Sequence, residues 1–67
     1  MQVNKIVVKL GKEYYKGFYW IEPAKNGNQE LYVSYEGVRR KQPIKIMPSD
    51  LQRKTAEEML YKLLSEL

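Results

Sequence analysis

A run of aromatic residues constrains the fold of this chain more than any other feature of its sequence. The run contains Tyr14, Tyr15, Phe18, Tyr19 and Trp20, which are five of the eight aromatic residues. Successive side chains of a strand point to opposite faces of its sheet, so no single core can bury all five rings. Tyr14, Phe18 and Trp20 share one face, and Tyr15 and Tyr19 share the other. One aromatic face must therefore stay partly exposed or contact another element or a partner.

The length and composition predict one small basic domain over residues 1–67. A chain of this size buries only about 60% of the surface that its unfolded form exposes, so the core is marginal. The sequence has no cysteine and no histidine, which excludes disulfide frameworks, zinc fingers and thiol redox chemistry. We expect a core of aliphatic and aromatic side chains, completed in the alternative case by the interface of a homo-oligomer.

Hydrophobic alternation predicts three strands, over 3–10, 13–21 and 31–35, with a tight turn at Gly11 and a loop over 22–29. A short fourth strand over 44–47, with its isoleucines inward, is a weaker prediction. Pro43 limits that segment to the edge of the sheet, because proline cannot donate to a strand ladder.

The clearest prediction is a C-terminal amphipathic helix over about 50–66. Its apolar residues repeat at helical spacing and form one stripe: Ala56, Met59, Leu60, Leu63, Leu64 and Leu67. Ser49 and Gln52 match the pattern of an N-terminal capping box. The fold class expected is α+β, a small antiparallel sheet of three to four strands with this helix packed on one face.

In that arrangement the side chains of alternate strand positions meet the helix. We expect this set to include Ile6, Val8, Leu10, Phe18, Trp20, Leu31, Val33, Tyr35, Ile44 and Ile46. The opposite face is then expected to present Lys5, Val7, Lys9, Tyr15, Tyr19, Tyr32 and Ser34. A bulge at Gly17 is an alternative that exchanges the two sets partway along the second strand.

The sequence contains few of the residue types that catalysis usually requires, and we predict no catalytic residues. Without histidine or cysteine, proton transfer and nucleophilic attack fall to carboxylates, lysines or tyrosines. No acidic cluster has the spacing of a metal site, so we expect neither a metal nor a cofactor. No apolar run is long enough to cross a membrane, and the start of the chain does not resemble a signal peptide. A cytoplasmic protein without a membrane partner is expected.

The net charge of +4 is unevenly distributed. Residues 1–48 contain nine basic and four acidic residues, whereas residues 49–67 contain three basic and four acidic residues. A basic surface favours polyanionic partners such as nucleic acid. A positive charge of this size also keeps a small protein soluble, which is the simpler explanation.

The residues expected to bind nucleic acid fall into two groups. On the open side of the sheet, tyrosines stack on bases and lysines neutralise phosphates; in the basic run, arginines contact phosphates. The predicted set is Lys5, Lys9, Tyr15, Lys16, Tyr19, Tyr32, Arg39, Arg40 and Lys41. The alternative is that the tyrosines form cross-strand packing pairs and the basic run is a solvated hairpin tip.

A three-stranded sheet followed by one helix resembles the arm-binding domains of tyrosine integrases and a plant family of DNA-binding domains. A small basic sheet with a C-terminal helix also resembles the crenarchaeal chromatin proteins. The resemblance covers element order only, and it implies binding to duplex DNA without assigning residues. Duplex DNA is therefore the partner expected first. An acidic protein bound by the same surface, as in a small regulator, inhibitor or accessory subunit, is the alternative.

Overall fold

The computed structural model describes residues 2–67, which form four strands followed by one helix. The strands are β1 (Asn4–Leu10), β2 (Glu13–Pro23), β3 (Gln29–Tyr35) and β4 (Val38–Ile44). The helix α1 spans Ser49–Glu66, and a short 3₁₀ turn at Lys25–Gly27 lies between β2 and β3. The predicted α+β class is confirmed.

The sheet is an antiparallel meander with the strand order β1-β2-β3-β4, so each strand pairs with its neighbours along the chain. The turn between β3 and β4 consists of Glu36 and Gly37, whose φ angles are 47° and 83°. Positive φ at both central residues matches the twist of the flanking strands and allows a two-residue turn. This turn pairs Tyr35 directly with Val38.

The strand β4 lies earlier in the chain than the sequence predicted. The basic run at 39–41 belongs to β4 and not to a loop, and the strand ends at Ile44 instead of continuing to Met47. Ile46 is 83% exposed, so its expected inward position was wrong. The tight turn is the reason, because it starts the pairing at Val38.

Pro43 lies in the edge strand, as expected. Alternate residues of an antiparallel pair direct their backbone groups toward the partner strand and away from it. Counting from the hydrogen-bonded pair that flanks a two-residue turn, Tyr35 and Val38, the backbone nitrogen of Pro43 points away from β3. The strand therefore loses no hydrogen bond at this position.

The helix lies across β1, β2 and β3, and it buries four residues of its predicted stripe, Ala56, Met59, Leu60 and Leu63. The fully buried strand residues beneath it include Ile6, Leu31 and Val33. The Tyr61 hydroxyl donates to the Lys9 carbonyl at 2.8 Å, which holds the helix against β1. Leu67 ends the predicted stripe but is 68% exposed, because it lies beyond the last helical turn.

The predicted capping box is absent. Pro48 is the N-cap residue, without a side-chain hydrogen bond, and Ser49 is already helical. The Gln52 side-chain amide donates to the Met47 carbonyl at 3.1 Å, whereas in a capping box its oxygen would accept from the Ser49 N–H. The first helical hydrogen bond runs from the Gln52 N–H to the Pro48 carbonyl at 3.0 Å, so the helix starts one residue too early for Ser49 to act as a cap.

Candidate nucleic-acid interface

The orientation of β2 is opposite to the one expected, and Gly17 explains why. Gly17 lies opposite Ile6 in an unbroken register, so the helix covers its face of the sheet and no bulge exchanges the two faces. A Cβ atom at this position would lie 3.0 Å from the Ser34 carbonyl oxygen and 3.1 Å from Leu60. A strand glycine often marks a close approach by another element. Here it is the position at which Leu60 of the helix reaches the sheet.

The orientation of β2 determines which face of the sheet each of its aromatic rings lies on. Tyr15 and Tyr19 flank Gly17 on the covered face, where Tyr19 is only 4% exposed. Phe18 lies on the opposite face and is 45% exposed. The expectation that Phe18 and Trp20 lie under the helix, with Tyr15 and Tyr19 in the open, was therefore wrong.

We call the uncovered side of the sheet the open face. Its members are alternate residues of the four strands, related by the cross-strand register. They are Lys5, Val7, Lys9, Tyr14, Lys16, Phe18, Trp20, Glu22, Glu30, Tyr32, Ser34, Arg39, Lys41 and Pro43. The open face therefore combines aromatic rings with five basic side chains.

Three side chains of the open face form a compact stack around Trp20. The ring of Trp20 stacks on Tyr32, with centroids 5.4 Å apart and planes at 6°. The guanidinium of Arg39 lies 5.6 Å from the Trp20 ring centroid, and the indole nitrogen donates to the Glu22 carboxylate at 2.8 Å. Trp20 is consequently 8% exposed although no helix covers it.

Two other rings of the open face remain accessible. Tyr14 is 68% exposed and Phe18 is 45% exposed. Lys9 lies across from Tyr14 with its ammonium 5.7 Å from the ring centroid, and Lys5 lies across from Phe18. Each exposed ring therefore has a lysine beside it on β1.

Most cations of the open face have no acidic partner. Within residues 2–67, ion pairs join Lys41 to Glu30 at 3.4 Å and Arg40 to Glu66 at 3.2 Å. The four remaining cations of the open face form no ion pair in this range: Lys5, Lys9, Lys16 and Arg39. The open face has five cations but only two carboxylates, Glu22 and Glu30, so its net charge is positive.

Six of the nine predicted site residues lie together on the open face: Lys5, Lys9, Lys16, Tyr32, Arg39 and Lys41. Three do not, namely Tyr15, Tyr19 and Arg40. Arg40 lies on the helix side because β4 alternates, and its guanidinium bonds Glu66 and the Arg39 carbonyl. Three aromatic residues of the face were missed, Tyr14, Phe18 and Trp20, and Gly17 was the sequence signal that could have identified them.

The tyrosines of the covered face contribute to the fold instead. Tyr15 and Tyr35 pack edge to face with centroids 6.1 Å apart. Desolvation raises the pKa of the Tyr35 hydroxyl above its ordinary value of 10.0, and Glu36 and Tyr15 raise it further.

The described part of the chain offers neither a cluster of metal ligands nor a membrane-spanning helix. Residues 2–67 contain no group of three or more His, Cys, Asp or Glu side chains placed to hold a metal ion. The helix within this range is also too polar to span a membrane.

No family model, curated protein or solved structure matches this chain. The resemblance in element order to three-stranded DNA-binding sheets is also limited, because the sheet has four strands. The function of the open face must therefore be argued from its own residues.

Proposed function

We propose that this protein is a non-enzymatic nucleic-acid-binding domain that contacts its ligand with the open face. The observation that supports this best is a set of four cations without a carboxylate partner, of which the three lysines lie beside exposed rings: Lys5, Lys9, Lys16 and Arg39. Phosphates neutralise such cations, and aromatic rings contact bases or sugars. The absence of histidine and cysteine from the sequence also favours binding over catalysis.

The basic residues are distributed in a way that suits an extended polyanion. Lys5 and Lys9 lie on β1, Lys16 lies on β2, and Arg39 and Lys41 lie on β4. Neighbouring strands are about 4.8 Å apart, so the cations span the full width of the sheet, about 14 Å. A single carboxylate could not engage all of them, whereas a chain of phosphates could.

Arg39 has a defined position on this surface. The short side chain of Ser34 lies between Phe18 and Arg39 in the register, which leaves room for Arg39 to lie against Trp20. A cation–π contact of this kind contributes about 0.5–1 kcal/mol at an exposed site. The contact orders the guanidinium before the ligand arrives and so reduces the entropy that binding must remove.

The first test is a salt titration of binding to labelled DNA, in which mixed-sequence single strands and duplexes are measured separately by anisotropy. Both forms are needed because the sequence favoured duplex DNA. If four phosphates are neutralised, the affinity for a single strand should fall about 50-fold between about 50 and 200 mM salt, because each contact releases counterions.

Two outcomes would reject the proposal. One is the absence of binding to either form of DNA, and to RNA of the same sequence, at about 50 mM salt. The other is binding whose affinity does not change with salt. A salt-independent association would instead favour the protein-interaction function, in which the exposed rings pack against another protein.

A further inference from the structure

Some rings of the open face are covered by neighbouring side chains and others are exposed. This difference bears on whether the nucleic acid is single-stranded or double-stranded. The ring of Trp20 is already covered by Tyr32 and Arg39. The rings of Tyr14 and Phe18 are 68% and 45% exposed. Both lie on β2, four residues apart on the same face, so they are separated by about 13 Å with Lys16 between them.

Phe18 lies on the open face without a large apolar side chain directly across from it. Its direct cross-strand neighbours are Lys5 on β1 and Ser34 on β3, and neither offers an apolar surface of its own size. On the other face of the same strand, Tyr19 is almost fully buried by the core. Phe18 therefore leaves 45% of its surface exposed, although it occupies the middle of a central strand.

An exposed phenyl ring discriminates between two forms of nucleic acid. In a duplex the faces of the bases are stacked on each other, and proteins reach mainly phosphates and base edges. A phenylalanine has no hydrogen-bonding group with which to read a base edge. In a single strand the base faces are accessible, and aromatic side chains on a sheet stack on them without regard to sequence.

The cations are placed to assist stacking at both rings. Lys5 lies across from Phe18 and Lys9 lies across from Tyr14, with Lys16 between the two rings on β2. A strand of nucleic acid whose bases rest on the two rings would thus have lysines within reach of its phosphates on each side. This alternation of rings and cations is typical of surfaces that bind single strands.

Building on the proposed function, we infer that the ligand is single-stranded nucleic acid, with Phe18 and Tyr14 as the platforms on which its bases stack. A single strand of about 15 nucleotides, a length within the usual range of such sites, should bind at least 10-fold more tightly than the duplex of the same sequence. Phe18→Ala should reduce affinity for the single strand about 5- to 150-fold. The same substitution should leave duplex binding within about twofold, because phosphate contacts dominate there.

Substitutions that keep a large side chain at position 18 distinguish base stacking from simple apolar contact. Phe18→Tyr keeps a ring and should bind like the unmodified protein, whereas Phe18→Leu keeps the apolar surface but should lose affinity as Phe18→Ala does. Leu51→Ala is the matched control, because Leu51 is 47% exposed on the helix and away from the open face. It should leave binding unchanged. The thermal midpoint of each variant shows whether it is folded.

The possible results distinguish this inference from the proposed function. Duplex binding as tight as single-strand binding would overturn the inference but leave nucleic-acid binding in place. Unchanged affinity of Phe18→Leu for the single strand would have the same consequence. Failure of both strand forms to bind at about 50 mM salt would overturn the proposed function and the inference together. If Phe18→Ala does not fold, the comparison of Phe18→Leu with Phe18→Tyr gives the same decision.

Discussion

Replacing Gly17 with valine is expected to destabilise the domain by about 3 kcal/mol, the upper end of the usual cost of overpacking, although valine is one of the best strand formers. On propensity alone the substitution should help, since valine gains up to about 1 kcal/mol in a strand. The first carbon of the new side chain, however, would lie 3.0 Å from the Ser34 carbonyl oxygen and 3.1 Å from Leu60. The Leu60 side chain can move, but the Ser34 carbonyl belongs to the backbone of the neighbouring strand.

The loss should be large relative to the total stability. A domain of this length has a free energy of unfolding of about 3–10 kcal/mol. A loss of 3 kcal/mol lowers the thermal midpoint by about 12–24 °C, so part of the protein could be unfolded at room temperature. Urea denaturation followed by circular dichroism measures the change directly.

Lys16→Val provides a matched control for Gly17→Val. Lys16 is the preceding residue of the same strand, but it lies on the open face and is exposed. Valine there gains the same strand propensity without meeting the helix, so stability should stay within about 0.5 kcal/mol. Equal stability of the two variants would contradict the close approach of Leu60 to the sheet at Gly17.

The sequence predicted the faces of β1 and β3 because one side of each strand is clearly apolar. Ile6 and Val8 alternate with Lys5 and Lys9, so burial of the lysines would cost far more than burial of the aliphatic residues. The helix was equally predictable, because its stripe of leucines has no alternative partner. These patterns were sufficient for the fold class and for two lysines of the open face, Lys5 and Lys9.

The orientation of β2 could not be predicted from alternation, because both of its faces carry rings. Burial of Tyr15 and Tyr19 competes with burial of Phe18 and Trp20, and the difference in hydrophobicity alone favours the second pair. The close approach of the helix decides the outcome, and only Gly17 leaves room for it. The packing constraint at Gly17 thus outweighed the greater hydrophobicity of Phe18 and Trp20.

The basic run illustrates the opposite difficulty, in which composition concealed a strand. Three consecutive cations are typical of a solvated loop, yet an edge strand tolerates them because its side chains alternate between solvent and a half-covered face. Arg39 and Lys41 therefore contribute to the open face, whereas Arg40 pairs with Glu66. The turn at Glu36 and Gly37 was the local signal that the strand begins directly afterwards.

Replacing the three lysines of the open face with glutamine should reduce affinity for single-stranded nucleic acid about 100-fold at about 0.1 M salt. The substitutions are Lys5→Gln, Lys9→Gln and Lys16→Gln. Each phosphate contact adds about 0.7 to the slope of log affinity against log salt, so the slope should also decrease by about 2. All three side chains are exposed, and none of them forms an ion pair within residues 2–67, so stability should change little.

The control for this variant changes the net charge by the same amount elsewhere. Lys45, Lys54 and Lys62 are exposed and lie outside the open face, the first after β4 and the others on the helix. Their replacement by glutamine should lower affinity less than about threefold, since these side chains do not belong to the open face and exposed charges at a distance are largely screened at this salt concentration. An equal loss in both triple variants would mean that binding follows net charge and not the open face. A selective loss in the first variant would place the phosphates beside Phe18 and Tyr14, where the exposed rings are available to the bases.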